Sequence, residues 1–160
     1  MVKLVVCIKQ VPMVSELPWD PATGTLKRDL AEGMMNPACR SAVEAALRIR
    51  EVQRGEIIAI TMRPPMAEEI LREAIALGAD RGILITDRRL AGADTFVTSH
   101  ILARAIKKTC PDFDFVLCGF ATSDSETAQV GPQLAEELGI PGVACVDEIA
   151  LSGRTVQVSR

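Results

Sequence analysis

The sequence predicts an α/β domain built on an open, mostly parallel, doubly wound sheet of about five strands, followed by a terminal hairpin. Three observations carry that expectation. Short β-branched runs alternate with longer amphipathic stretches, the pattern of parallel strands joined by crossover helices. The runs are nearly all apolar, as strands covered on both faces must be. The chain has 160 residues with 48% hydrophobic content, and a chain of this size buries roughly 70% of its unfolded surface in one core. A single domain over residues 1–160 is therefore expected.

Five segments read as strands: Leu4 to Ile8, Glu56 to Met62, Gly82 to Thr86, Phe115 to Gly119 and Val143 to Val146. Between the first two, Pro37 to Arg54 reads as a helix. Val43, Ala46, Leu47 and Arg50 recur at helical spacing, Asn36 is the expected N-cap, Pro37 suits the first turn and Gly55 stops it. The second helix, about Met66 to Leu77, places Ile70, Leu71, Ala74 and Leu77 on one side and ends at Gly78. Asp94 caps a third helix through about Thr109, with Val97, Ile101, Leu102, Ala105 and Ile106 inward and Lys107 and Lys108 at its negative end. The fourth begins near Thr127, buries Val130, Leu134, Ala135 and Leu138, and stops at Gly139 and Pro141.

Two segments break the alternation. Gln10 to Met35 is a long connection holding Pro12, Pro18, Pro21, Gly24 and Gly33, in which Ala22-Thr23-Gly24-Thr25 is the expected turn between short arms near Trp19 and Leu26. At the other end, Asp147 to Leu151 and Arg154 to Val158 read as hairpin arms with no core of their own to cover. The chain thus reads as truncated at its C-terminus.

Composition removes several function classes. A net charge of -3, from 18 basic and 21 acidic residues, gives no footprint for nucleic acid or for an anionic membrane surface. The longest apolar runs fall far short of the ~18 residues of a membrane span, so no membrane insertion is expected. A strand-like run begins directly after Lys3 with no secretory signal before it, which predicts a cytoplasmic address. Five cysteines without a C-x-x-C pair argue against disulfides and structural zinc. One histidine, His100, without clustered carboxylates leaves little for a metal centre or a catalytic triad. No catalytic residue and no metal ligand is assigned.

In an open parallel sheet, ligands collect beyond the carboxyl ends of the strands, where the strand order reverses. That rule selects the loops Cys7-Ile8-Lys9-Gln10, Met62-Arg63-Pro64 and Gly119 to Thr127. The last leads into a helix, whose free amides favour a phosphate. The hydroxyls of Thr122, Ser123, Ser125 and Thr127 add donors, while Asp124 and Glu126 oppose a phosphate unless turned to a ribose, a cation or solvent. On these grounds alone, a phosphate site and a plain capping loop are equally good readings. Neither G-x-G-x-x-G nor G-x-x-x-x-G-K-[ST] is present, so a nucleotide dehydrogenase and a P-loop enzyme lack support.

Four segments in order, Val5-Val6-Cys7-Ile8-Lys9-Gln10-Val11-Pro12, Met35-Asn36-Pro37, Leu77-Gly78-Ala79-Asp80-Arg81 and Thr127-Ala128-Gln129-Val130-Gly131-Pro132-Gln133-Leu134, resemble electron-transfer flavoprotein beta subunits. The resemblance runs over nearly the whole chain. It implies an adenine-nucleotide-binding, Rossmann-like fold and an electron carrier, not an enzyme. The implied cofactors are AMP or FAD in the beta pocket and an FAD shared with an alpha subunit. The implied partners are that alpha subunit and acyl-CoA or other dehydrogenases. Carried across by motif, the pocket is lined by Cys7, Lys9, Asn36, Pro37, Ala38, Cys39 and Met62, and by Phe120, Ser123, Asp124, Ser125, Glu126, Thr127, Gln129, Val130 and Gly131. Where the family commonly has Gln-x-x-Asp-Gly-Asp, this chain has Ala121-Thr122-Ser123-Asp124-Ser125-Glu126 and so lacks the glycine.

Simpler roles stand beside these. Cys7, Cys118 and Cys145 read as packing residues; Cys39 near a helix N-terminus has the better claim to a lowered pKa, though packing or ligand lining is the favoured reading for it too. Trp19 reads as a loop anchor and His100 as a satisfied helix residue. The alternative function is an adenine-nucleotide-binding regulatory module without electron transfer. A nucleotide-cleaving enzyme ranks third for want of a catalytic group.

Overall fold

The computed structural model describes residues 1–13, 19–22, 25–26, 33–152 and 155–160. Its centre is a parallel sheet of four strands: β1 (Val2–Cys7), β6 (Gly55–Met62), β7 (Arg81–Ile85) and β8 (Phe115–Cys118), in the order β7-β6-β1-β8. Side chains alternate across the sheet with the two-residue period of a strand. Leu4, Val6, Ile57 and Ala59 face helices α1 (Pro37–Val52) and α2 (Glu68–Leu77). Val5, Cys7, Ile58 and Ile60 face α3 (Thr95–Thr109) and α4 (Val130–Leu138). Helices on both faces leave these β1 and β6 residues no more than 8% exposed.

The chain steps from β1 to β6 to β7 in one direction, then returns over the sheet to place β8 on the other side of β1. The strand order therefore reverses between β1 and β8. The carboxyl ends of β6, β1 and β8 lie side by side there, and their following loops are the ones selected from the sequence.

The connection after β1 is more organised than expected. Strand β2 (Gln10–Pro12) pairs antiparallel with β5 (Gly33–Met35), with Gln10 opposite Met35. Val11 and Met35, 1% and 2% exposed, anchor this ladder. The pairing brings the chain straight back to the end of β1, where Asn36 N–H donates to Lys9 O at 2.9 Å. The expected short hairpin is present as β3 (Trp19–Asp20) against β4 (Thr25–Leu26). Its turn residues Thr23 and Gly24, and the side chain of Trp19, lie outside the described residues.

Helix boundaries follow local chemistry. Asp94 caps α3 by accepting from Val97 N–H at 2.8 Å, and Gly78 and Gly139 end α2 and α4 with φ of 125° and 73°. Facing helices α3 and α4 are joined by Ser99 to Gln133 at 3.0 Å and by His100 to Glu137 at 2.9 Å. Asp80 accepts from Ile57 N–H at 2.8 Å and pairs with Arg50 at 3.4 Å, so the Leu77 to Arg81 motif tethers α1 to the start of β6.

Five expectations need correction. Val143 to Val146 forms no strand: it is exposed, and Cys145 has a φ of 56°, which breaks the extended path a strand requires. Helix α4 starts at Val130, not near Thr127, and a 3-10 turn at Pro65–Ala67 precedes α2. Leu77 and Val97, 41% and 39% exposed, do not join the core. The terminal hairpin, β9 (Glu148–Ser152) with β10 (Thr155–Ser159), does cover apolar surface, since Ile149 and Leu151 pack against the α1 side. Among the described residues no helix is long and apolar enough to cross a membrane.

Candidate functional site

Asn36 organises the reversal point. It stands at the N-cap of α1, yet its side chain makes no capping bond. The amide reaches across to the loop after β8. Its Nδ2 donates to Ala121 O at 2.9 Å, and its Oδ1 accepts from Ser123 N–H at 3.1 Å. A carboxamide can make both bonds at once because it carries donor and acceptor on one plane. The side chain is buried, with the residue 1% exposed.

Gly119 lets the two elements meet. A Cβ at this position would lie 2.8 Å from both Ala38 C and Cys39 N, inside the first turn of α1. Only a residue without a side chain fits there. Ala38 and Cys39 therefore pack against the end of β8, whereas Pro37 is exposed and lines the cleft beside the terminal hairpin.

A charged group sits beyond this junction. Lys9 Nζ approaches Asp124 Oδ1 at 2.7 Å and Thr122 Oγ1 at 3.3 Å. Arg63, after β6, donates to Asp124 Oδ2 at 3.3 Å and to Gln10 O at 2.6 Å. Thr122 and Ser125 hydroxyls are 2.7 Å apart. Burial alone would raise the Asp124 pKa, but hydrogen bonds from Lys9 and Thr122 and the charges of Lys9 and Arg63 prevail and lower it. The carboxylate stays ionised near neutral pH.

The loop needs no glycine at Ser125. Positive φ falls instead on Glu126, at 49°, and on Ala128, at 53°. Glu126 N–H and Ser125 N–H both turn back to Thr122 O, forming a tight turn that presents the Asp124 side chain to Lys9 and Arg63.

The structure thus brings Lys9, Asn36, Ser123, Asp124 and Ser125 into one hydrogen-bonded group, with Ala38 and Cys39 beside it at the end of β8. Cys7 and Met62 end adjacent strands and pack toward the α3 and α4 side, as does Val130. Gly131 lies in the first turn of α4, where its amide and that of Val130 have no intrahelical acceptor. Phe120 is 71% exposed and Glu126 and Thr127 are also exposed. Gln129 accepts from Thr95 at the start of α3 at 3.2 Å, so it ties loop to helix and leaves the charged group alone.

Cys39 is a buried packing residue and not an activated thiol. Burial pushes its thiol up, against the opposing hydrogen bonds from Asn36 and from the amides of Lys9 and Gly119. Cys7, hydrogen-bonded to Cys118 and buried, is held well above the ordinary thiol range. Both are packing residues in this state.

Arg63 and Thr122 were not among the assigned residues, although both lie in loops the topology selects. The available signal was a cation directly after β6, at the edge where an anion is expected. A separate cleft of about 890 Å3 runs between α1 and the terminal hairpin, lined by Arg40, Glu44, Arg48, Asp147 and Glu148 among others. It flanks α1 and carries charges of both signs, so it lacks the reversal point's convergent cationic donors.

Comparison with known proteins identifies the family. The electron transfer flavoprotein domain family matches residues 23–160. The chain is 46% identical over 157 residues to an electron transfer flavoprotein subunit beta of Thermoanaerobacterium thermosaccharolyticum, covering 98% of this chain and 60% of that protein. It is 44% identical over 163 residues to Protein FixA of Azorhizobium caulinodans, covering 98% and 58%. It is 44% identical over 159 residues to the caffeyl-CoA reductase-Etf complex subunit CarD of Acetobacterium woodii, covering 99% and 60%. The chain thus spans somewhat under two thirds of these relatives' length. On the family match over most of its residues, the chain belongs to the electron transfer flavoprotein family.

Proposed function

We propose that this chain is the nucleotide-binding part of a cytoplasmic electron carrier, an electron transfer flavoprotein beta subunit. It binds AMP or FAD at the carboxyl edge of its sheet and pairs with an alpha subunit that shares an FAD. Dehydrogenases supply the electrons that it helps pass to an acceptor. The observation that carries the reading is the clamp of Asn36 on the loop after β8 at the point of strand reversal, with Lys9 and Arg63 beside it.

The residues present fit a nucleotide. Phosphate oxygens find two cations, the hydroxyls of Thr122 and Ser125, and the first-turn amides of α4. Cys7, Met62 and Val130 supply apolar surface nearby for a ring. A flavin, when bound, supplies the electron chemistry itself. The chain's own part is to bind, orient and exclude water, and no side chain here acts as acid, base or nucleophile. Names of relatives support the partner class: one is a subunit of a caffeyl-CoA reductase-Etf complex and another an acryloyl-CoA reductase electron transfer subunit.

Co-expression of the full-length protein with a candidate alpha subunit tests the reading. The expected product is a heterodimer whose flavin absorbance corresponds to one or two FAD. A monodisperse, flavin-free protein indifferent to the alpha subunit overturns it. Tight preference for ATP with no flavin partner would favour a regulatory module instead.

A further inference from the structure

Arg63 leaves β6 at the sheet's carboxyl edge, its backbone N–H fixed to Ile85 O at 3.1 Å. Its Nη2 donates to Gln10 O and to Asp124 Oδ2. Its Nε is buried and has no hydrogen-bond partner among the described residues. A donor in that condition carries its full desolvation cost unless something accepts from it. On the far side of the same carboxylate, Lys9 Nζ lies 2.7 Å from Oδ1.

One carboxylate thus bridges two cations, one on each oxygen. A phosphoryl group presents the same motif with more oxygens on the same centre, and so has one to spare for a further donor. Guanidinium forks match that geometry, and an ammonium adds a point charge. The Lys9 and Arg63 side chains are 30% and 31% exposed, sheltered enough to strengthen the attraction and open enough for a ligand to arrive. Asp124 can leave without dismantling the loop, because Asn36 holds that loop through Ala121 and Ser123 and not through residue 124.

We propose that Lys9 and Arg63 form a two-cation cradle for the phosphate or diphosphate of the bound nucleotide, and that the Asp124 carboxylate fills it until that group displaces it. The inference rests on the nucleotide reading of the same site and adds Arg63 as its affinity-determining residue. Asp124 is a competitor for the cradle, so removing its charge strengthens binding. A direct contact from Asp124 to the ligand would give the opposite sign.

Isothermal titration of the full chain with pyrophosphate, AMP, ADP and adenosine tests it. Arg63→Ala is expected to weaken pyrophosphate and the nucleotides about tenfold to a hundredfold, the range of a lost charged hydrogen bond, and to leave adenosine unchanged. Arg63→Lys recovers part of the loss. Asp124→Asn tightens pyrophosphate severalfold. A larger loss for ADP than for AMP on removing Arg63 identifies a diphosphate as the group held, and equal losses identify a monophosphate. Thermal unfolding of each unliganded variant, with Arg63→Gln as the milder change, separates folding from binding.

Binding of pyrophosphate and AMP that is unchanged in both Arg63→Ala and Asp124→Asn overturns the cradle, as does weaker binding in Asp124→Asn. Arg63-dependent binding of pyrophosphate, with no gain in affinity from adenosine in AMP or ADP, would leave the cradle standing and remove the nucleotide reading. Nucleotide binding indifferent to Arg63 would do the reverse.

Discussion

Replacing Asn36 by alanine should unfasten the loop after β8 while leaving the sheet intact. The deleted amide serves two backbone groups, Ala121 O at 2.9 Å and Ser123 N–H at 3.1 Å. Each unsatisfied backbone group costs about 1–3 kcal/mol when it stays buried. Both bonds are only partly buried and water can reach the loop, so the lower end applies to each, giving a total of about 2 kcal/mol. For a domain of this size that corresponds to a fall in melting temperature of roughly 4–8 °C. Nucleotide affinity should fall by more than tenfold, because a comparable ordering cost returns on binding. Asn36→Asp is the informative partner variant: a carboxylate still accepts from Ser123 N–H, but it has nothing to donate to Ala121 O and buries a charge against that carbonyl, so it should lose at least as much as alanine. Thermal unfolding by circular dichroism and amide exchange at Ser123 give the two readouts. An Asn36→Ala protein with unaltered melting temperature and unaltered Ser123 protection would refute the clamp.

Other perturbations test the surrounding structure. Gly119→Ala forces a Cβ to 2.8 Å from rigid backbone at Ala38 and Cys39 and should cost about 3 kcal/mol, the upper part of the usual overpacking range; a melting temperature equal to that of the parent would contradict the packing. Asp124, whose folded pKa is lowered, stabilises the loop above the ordinary aspartate range and loses that contribution as pH falls through its own lower value. An acid titration followed by carboxyl-carbon NMR should therefore find Asp124 below the ordinary aspartates, and a titration above them would contradict the ion pairs. Alkylation at mildly alkaline pH, read by mass spectrometry, should label exposed Cys145 first and buried Cys7 and Cys39 last. Equal labelling rates would place those thiols at the surface.

Much of this fold was legible because its strands are short apolar runs and its helices carry strong end signals such as Asp94, Gly78 and Gly139. The β2–β5 ladder was not, since three-residue arms separated by a long connection leave no local pattern. Val143 to Val146 has the composition of a strand, but composition cannot report the left-handed backbone at Cys145. Asn36 was read as a cap, the usual use of an asparagine before a helix. Its use on a loop more than eighty positions later in the chain is a tertiary choice that depends on Gly119 closing the gap. Among the site residues, those at strand ends followed from topology, whereas Phe120 and Gln129 turned elsewhere because loop side chains are free to choose between solvent, helix and pocket. Arg63 was visible in the right loop. Its importance required seeing Lys9 and Asp124 arrive at the same point.

The most direct test of nucleotide binding at the strand reversal is backbone NMR of the full-length protein titrated with AMP and with FAD. Shifts concentrated at Lys9, Asn36, Arg63, Ser123 and the segment Thr127 to Gly131 are the predicted result. Shifts confined to the cleft between α1 and the terminal hairpin, or none at saturating nucleotide, would contradict it.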